Sequence, residues 1–252
     1  MNRITNQDYD KNLFIFGEDV LTDFGVMRFL TYREFLQNAN DLQLIAQNTL
    51  HIYYHYKNQL KDARASKEEF EALKELKDID LYEIVVSTKQ ILNAYLKIFQ
   101  LVFDRNENLP LEQVFSSPEN FHFIRKLVMD MNVLTEEKVS PNEEIQSAIE
   151  RSKRVKQNNS GEKQSFVDIV TSIVASTNNT FEDVCNMNVF QVYAIYARVG
   201  AIFNYQTTTL FATVAEKVNI ESWNKHIDLF KVEDDSMSKE EFNGKFGSLL
   251  KM

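Results

Sequence analysis

Six glycines and three prolines in 252 residues set the strongest limit on how this chain can fold. A β-rich chain turns every eight to twelve residues or so, and its turns are usually built with Gly, Pro or Asn. So few breakers cannot punctuate the roughly twenty turns such a fold would need. The chain therefore reads as all-α, a multi-helix bundle made of long segments with few interruptions. Nineteen Phe and ten Tyr, within a hydrophobic fraction of 44%, are ample core material for one large domain or two small ones.

The only strand-like region is the first thirty residues. "NLFIF" (Asn12–Phe16) and "VMRFL" (Val26–Leu30) are short apolar runs on either side of "GEDVLTDFG", which suits a turn. A small hairpin within 12–30, supported by a helix, is expected. Beyond it, helix starts repeat. Thr31/Glu34, Ser66/Glu69, Ser140/Glu143 and Ser238/Glu241 have capping-box spacing, in which hydroxyl and carboxylate each satisfy a first-turn amide. Ser117-Pro118 and Asp80 are further start signals. They predict helices over 32–62 (with a break near Asn38–Asp41), 67–77, 81–104, 118–131, 141–156, 166–178, 181–215 (with a break near Asn186) and 239–250. The polar stretch "KQNNSGEKQ" (Lys156–Gln164) divides an N-terminal part, 1–156, from a C-terminal part, 165–252.

A net charge of −9 argues against a nucleic-acid partner, because phosphate contacts need clustered Lys and Arg. The one local basic run, Arg151, Lys153, Arg154 and Lys156, reads as a solvated helix face rather than an anion site. A single Cys185 leaves no disulfide and no Cys-based zinc site, which points to a reducing compartment. His51 and His55 share one helix face, but a zincin needs Glu where Ile52 stands. Glu119-x-x-His122 is half of a di-iron motif whose second copy is missing. Cys185 reads as a small buried hydrophobe. No phosphate loop or nucleophile elbow is present, so the expectation is a non-enzyme with no catalytic residues, metal or cofactor.

The stretch from Asn188 to Asn204 is apolar almost all round a helix, interrupted by Gln191 and Arg198. A membrane span needs about twenty apolar residues, and a lone Arg at its centre costs several kcal/mol, so a soluble chain with no membrane partner is expected. A helix greasy on nearly every side must be covered on nearly every side. Either it is the central helix of the C-terminal part, with Arg198 paired to Asp183 or Glu182 or lying at the rim, or one flank around Tyr193 stays open for a partner's helix. In the second case Gln191 and Arg198 set the register. Trp223, the single tryptophan, anchors a docked segment or serves as a partner hot spot.

"DVCNMNVFQVYAIYARVGAIF", followed by "YQTTTLFATVAEKVNIESWNKHID", resembles the tail assembly chaperones of phages that infect Gram-positive bacteria. The resemblance rests on Met187, Phe190, Gln191, Val192 and Tyr193, the following Arg198, a small-residue helix, and a hydrophilic link to Trp223, Ile227 and Asp228. It covers 165–228. It implies a protein of the host cytoplasm that coats a helical tape-measure client, helps recruit tail-tube subunits and uses no cofactor. Gln191, Tyr193, Arg198 and Trp223 are the partner-binding candidates. A virion structural component that stays in the particle is the alternative, and self-association into a homo-oligomer is left open.

Overall fold

The computed structural model describes residues 2–5, 8–62, 66–136, 138–159, 165–215 and 218–231. Its β-structure is confined to the N-terminus, in three short strands: β1 (Asn2–Arg3), β2 (Val20–Thr22) and β3 (Gly25–Met27). β1 runs parallel to β2, and β2 pairs antiparallel with β3, with Val20 opposite Met27. The expected hairpin is therefore present, but its strands are shorter and placed differently. "NLFIF" is not a strand. Lys11–Phe16 is a 3-10 helix, capped by the Asp10 side chain and closed by Gly17 in the left-handed conformation. Its apolar residues do not alternate in and out: Phe14 is buried, while Leu13, Ile15 and Phe16 are exposed. The hairpin turn lies instead at Asp23-Phe24 and ends on Gly25, whose φ of 129° suits only glycine. Asn106 clasps the hairpin from the rear, accepting from Val26 N (2.9 Å) and donating to Val26 O (2.7 Å).

Most of the other described residues are helical. The order is α1 (Tyr32–Gln37), α2 (Ala39–Ile45), α3 (Thr49–Asp62), α4 (Lys67–Glu75), α5 (Leu81–Ser87), α6 (Lys89–Val102), α7 (Leu111–Val114), α8 (Pro118–Met131), α9 (Glu143–Asn159), α10 (Phe166–Ser176), α11 (Phe181–Asn186) and α12 (Val189–Phe211). Capping boxes form at Thr31/Glu34 and Ser66/Glu69, and Ser117 and Asp80 cap α8 and α5. The Ser140 box does not form. Asn142 caps α9 in its place, and Glu143 is drawn to Lys57. The predicted 81–104 helix divides at Thr88, whose backbone is extended. Ser87 bonds back to the carbonyl of Ile84 there, a local competitor to helix continuation. The start of the polar stretch at Lys156 is still helical, since α9 reaches Asn159, and the helix expected over 239–250 lies outside the described residues.

Two apolar clusters result. The larger is built on α2, α5, α6 and α8, with Tyr95, Phe99, Phe103 and Phe121 fully buried. Within it the Tyr95 hydroxyl is pushed up to about 12 by burial. Arg125 is also buried there. It donates to the carbonyls of Ile45 (3.0 Å) and Gln47 (2.9 Å) and to Tyr95 Oη (3.1 Å), and it pairs with Glu136, so α2, α6 and α8 share one cation. The smaller cluster joins Tyr32, Val170, Ile173, Val184, Val189 and Val192 from α1, α10, α11 and α12. The two meet at the start of α12, where Tyr32 N donates to Met187 O (2.7 Å) and Phe190 turns into the larger cluster.

Candidate functional site

α12 begins where sequence and tertiary contacts agree. The Asn188 side chain accepts from Gln191 N (2.7 Å), and Gln191 Oε1 accepts from Asn188 N (3.0 Å). This closes a capping box with Asn and Gln in the roles of Ser and Glu, a cap of about 1 kcal/mol. The spare donors of the same two side chains then reach the 3-10 helix: Asn188 Nδ2 to Phe14 O (3.1 Å) and Gln191 Nε2 to Ile15 O (2.9 Å). Gln191 is thus held by its own chain on both sides. Tyr193 is partly buried and meets Tyr32 edge to face at 6.2 Å between ring centroids. Its burial raises the phenol above its ordinary value.

Arg198 and Trp223, far apart in sequence, come together. Arg198 Nη1 donates to the carbonyls of Trp223 and Lys225, the latter at 3.1 Å. The carboxylates expected to neutralise it are engaged elsewhere. Glu182 takes Arg33 (2.7 Å), and Asp183 closes the α11 capping box with Thr180. Residues 218–231 form a strap without helix or strand, laid along the Phe190, Ala194 and Arg198 side of α12. The Phe230 ring lies 6.1 Å from that of Phe190, and Lys11 Nζ stands 4.2 Å from the Phe230 centroid. Lys11 Nζ also bonds Asp130 (2.7 Å), a buried carboxylate that takes Tyr9 Oη (2.7 Å) and Lys126 Nζ (2.7 Å) as well. Between strap, 3-10 helix and α12 lies a groove of about 650 Å³ of mixed polarity.

The other side of α12 has a different fate. Val189, Val192, Tyr196, Val199, Phe203, Thr207, Leu210 and Val214 follow one another at steps of three and four, a single stripe along the helix and the turn after it. Val189, Val192 and Tyr196 belong to the smaller cluster, where α10 and α1 cover them. α10 has 11 residues and α12 has 23, about 16 Å against about 35 Å. The stripe outlasts its cover. Phe203 is 53% exposed, Leu210 71%, Phe211 60% and Val214 83%, and from Val199 to Ala215 no residue is charged. Phe166 and Val167, at the start of α10, are exposed as well. Sequence reasoning centred the rod on Tyr193 and missed this more distal surface. The signal that could have found it is the mismatch in length between the two apolar segments.

The remaining candidates have local partners. His122 Nε2 lies 2.9 Å from Asp80 Oδ1, and Glu119 is held below the usual carboxylate range by its own backbone amide and by Ser117. His55 Nε2 lies 3.0 Å from Gln59 Nε2, and His51 Nδ1 lies 3.1 Å from Asn48 Oδ1. Cys185 is a half-buried free thiol. Among the described residues no group of three or more His, Cys, Asp or Glu could hold a metal, and no helix is long and apolar enough to cross a membrane. Arg151 is exposed; the side chains of Lys153, Arg154 and Lys156 lie outside the described residues.

Comparison with known proteins gives a consistent answer along most of the chain. The profile of the YomV N-terminal domain matches residues 9–141, and that of the YomV second domain matches residues 156–228. The SPbeta prophage-derived uncharacterized protein YomV of Bacillus subtilis (strain 168) is 33% identical over 229 residues, covering 90% of this chain and 93% of that relative. No solved structure matches.

Proposed function

Because this chain belongs to the YomV family, a phage-derived protein family, we propose that it is a non-enzymatic assembly protein of a phage, acting as a tail assembly chaperone for a helical, tape-measure-like client. The observation that carries the reading is the bare half of the α12 stripe. Its first half already accepts a helix, α10, against the same face. An apolar client helix continuing along Phe203, Leu210 and Val214 would bury that stripe in the same way, with anchors at helical spacing. The absence of charge from Val199 to Ala215 suits an apolar client, and the net charge of −9 elsewhere would keep the complex soluble. Tail-tube subunits would then displace the chaperone, in the host cytoplasm, without a nucleotide or metal.

The test is co-expression with the tape-measure protein of the same phage. Co-purification is expected, and Leu210→Glu should reduce capture at least about tenfold, roughly 1.4 kcal/mol. The melting temperature should be unchanged, because the position is exposed. Mass spectrometry of purified particles should find the chain missing. Its presence there in stoichiometric amount would overturn the chaperone reading in favour of a virion structural component.

A further inference from the structure

The bare stripe on α12 has an internal symmetry. Val199, Phe203, Leu210 and Val214 are spaced four, seven and four apart, so the pattern reads alike in both directions about a point between Gln206 and Thr207. Under a twofold axis through that point, with two helices antiparallel, Phe203 of one copy faces Leu210 of the second copy and Val199 faces its Val214. A closed dimer requires an interface of this self-complementary kind, in which one patch meets itself. Thr207, small and exposed beside the axis, leaves room for approach between the large pairs, and Gln206 on its other side can turn outward to water. Gly200 lies beside the stripe with open space where a Cβ would stand.

We propose that, when no client is bound, a second copy of this chain covers the stripe, forming a twofold antiparallel dimer through α12. The proposal rests on the reading of this stripe as a docking surface and names the partner that holds it at rest. Two further observations support a second copy. The first is charge: two chains of −9 repel, and the surface from Val199 to Ala215 is a long uncharged stretch on which they can meet without opposing carboxylates. The second is area. Phe203, Leu210, Phe211 and Val214 leave half to four-fifths of their surface open. At roughly 150–200 Å² for a large apolar residue, the pair would bury about 900 Å² from these side chains alone. Val199, Gln206, Thr207 and the intervening helix surface bring this to the lower range of specific interfaces, about 1,000–1,200 Å². A dimer of that size is weak enough for a client to displace.

Sedimentation velocity of the full chain, under reducing conditions and from low micromolar to several hundred micromolar, tests this. A reversible monomer–dimer equilibrium is expected, strengthened by added salt, which screens the repulsion between two chains of −9 and leaves the uncharged contact itself intact. Leu210→Glu should weaken it at least about tenfold with far-UV circular dichroism and melting temperature unchanged. The double variant Phe203→Lys with Leu210→Glu should restore it to within about tenfold, since each lysine then faces a glutamate across the axis. A chain that stays monomeric throughout, a Leu210→Glu variant that still dimerises, or a double variant that does not recover would each overturn the proposal. Client capture separates it from the chaperone reading: a dimer that captures no client upholds this inference alone, and a strictly monomeric chain that captures client upholds only the other.

Discussion

Glu34 illustrates how much one side chain can do when a local signal and a distant partner coincide. Its Oε2 accepts from the Thr31 amide (2.9 Å), completing the α1 cap, while Arg28 grips both carboxylate oxygens at 2.8 and 2.9 Å. The Arg28 hydrogen bond, followed by that of the Thr31 amide, holds Glu34 below the usual carboxylate range. A depressed folded pKa gives stability that is present above the unfolded value, about 4.3, and is lost as pH falls through the folded one. Wild-type melting temperature should therefore drop on acidification below about pH 5. Glu34→Gln should start lower at pH 7 and drop less over the same window. Parallel melting curves for the two proteins would refute this assignment. Arg198 poses a different case at the same scale. Its two bonds to strap carbonyls are exposed, so Arg198→Ala should cost no more than about 1–2 kcal/mol. Its clearer effect should be on Trp223, the chain's only tryptophan: acrylamide quenching should rise as the strap loosens. Unchanged quenching would mean that Phe230 and Lys11 hold the strap without it.

Among the elements, α10 and α12 show that an apolar helix is defined by what covers it. Ile173 is fully buried between them, and Ile173→Ala should destabilise the chain by about 2–5 kcal/mol in denaturant titration. Leu210, an equally greasy residue on the α12 stripe that Ile173 helps to cover nearer its start, is largely exposed, and Leu210→Ala should change stability by less than about 0.5 kcal/mol. Equal losses at the two positions would mean that the distal half of α12 is covered in solution by its own chain. Helix starts were more legible than helix faces. Thr31, Ser66, Asp80 and Ser117 cap as their spacing implies, because a cap and its target lie within four residues. Ser165/Asp168, Thr180/Asp183 and Asn188/Gln191 are boxes of the same kind that a search for Ser or Thr followed by Glu passes over.

For the molecule as a whole, the start of α12 is the joint. Phe190 enters the larger cluster while Val189 and Val192, its neighbours, enter the smaller one. Arg33 and Glu182 bridge α1 to α11 nearby, although they are 149 positions apart. A joint shared in this way predicts one cooperative transition. Near-UV circular dichroism of the buried tyrosines and fluorescence of Trp223 should give coincident unfolding curves. Phe190→Ala should shift both together, by about 3–5 kcal/mol. Two separated transitions would show that the clusters fold independently. The amino-acid sequence alone determined the helical class, the confinement of β-structure to the first thirty residues, most helix starts and the existence of an apolar rod interrupted by Gln191 and Arg198, because each follows from composition or from contacts within a turn of helix. Tertiary structure decided which half of that rod is covered, that Gln191 and Arg198 are engaged by the 3-10 helix and the strap, and that Glu182 serves Arg33. Those outcomes depend on how far α10 reaches along α12 and on partners as many as 176 positions away, distances over which no local pattern is registered.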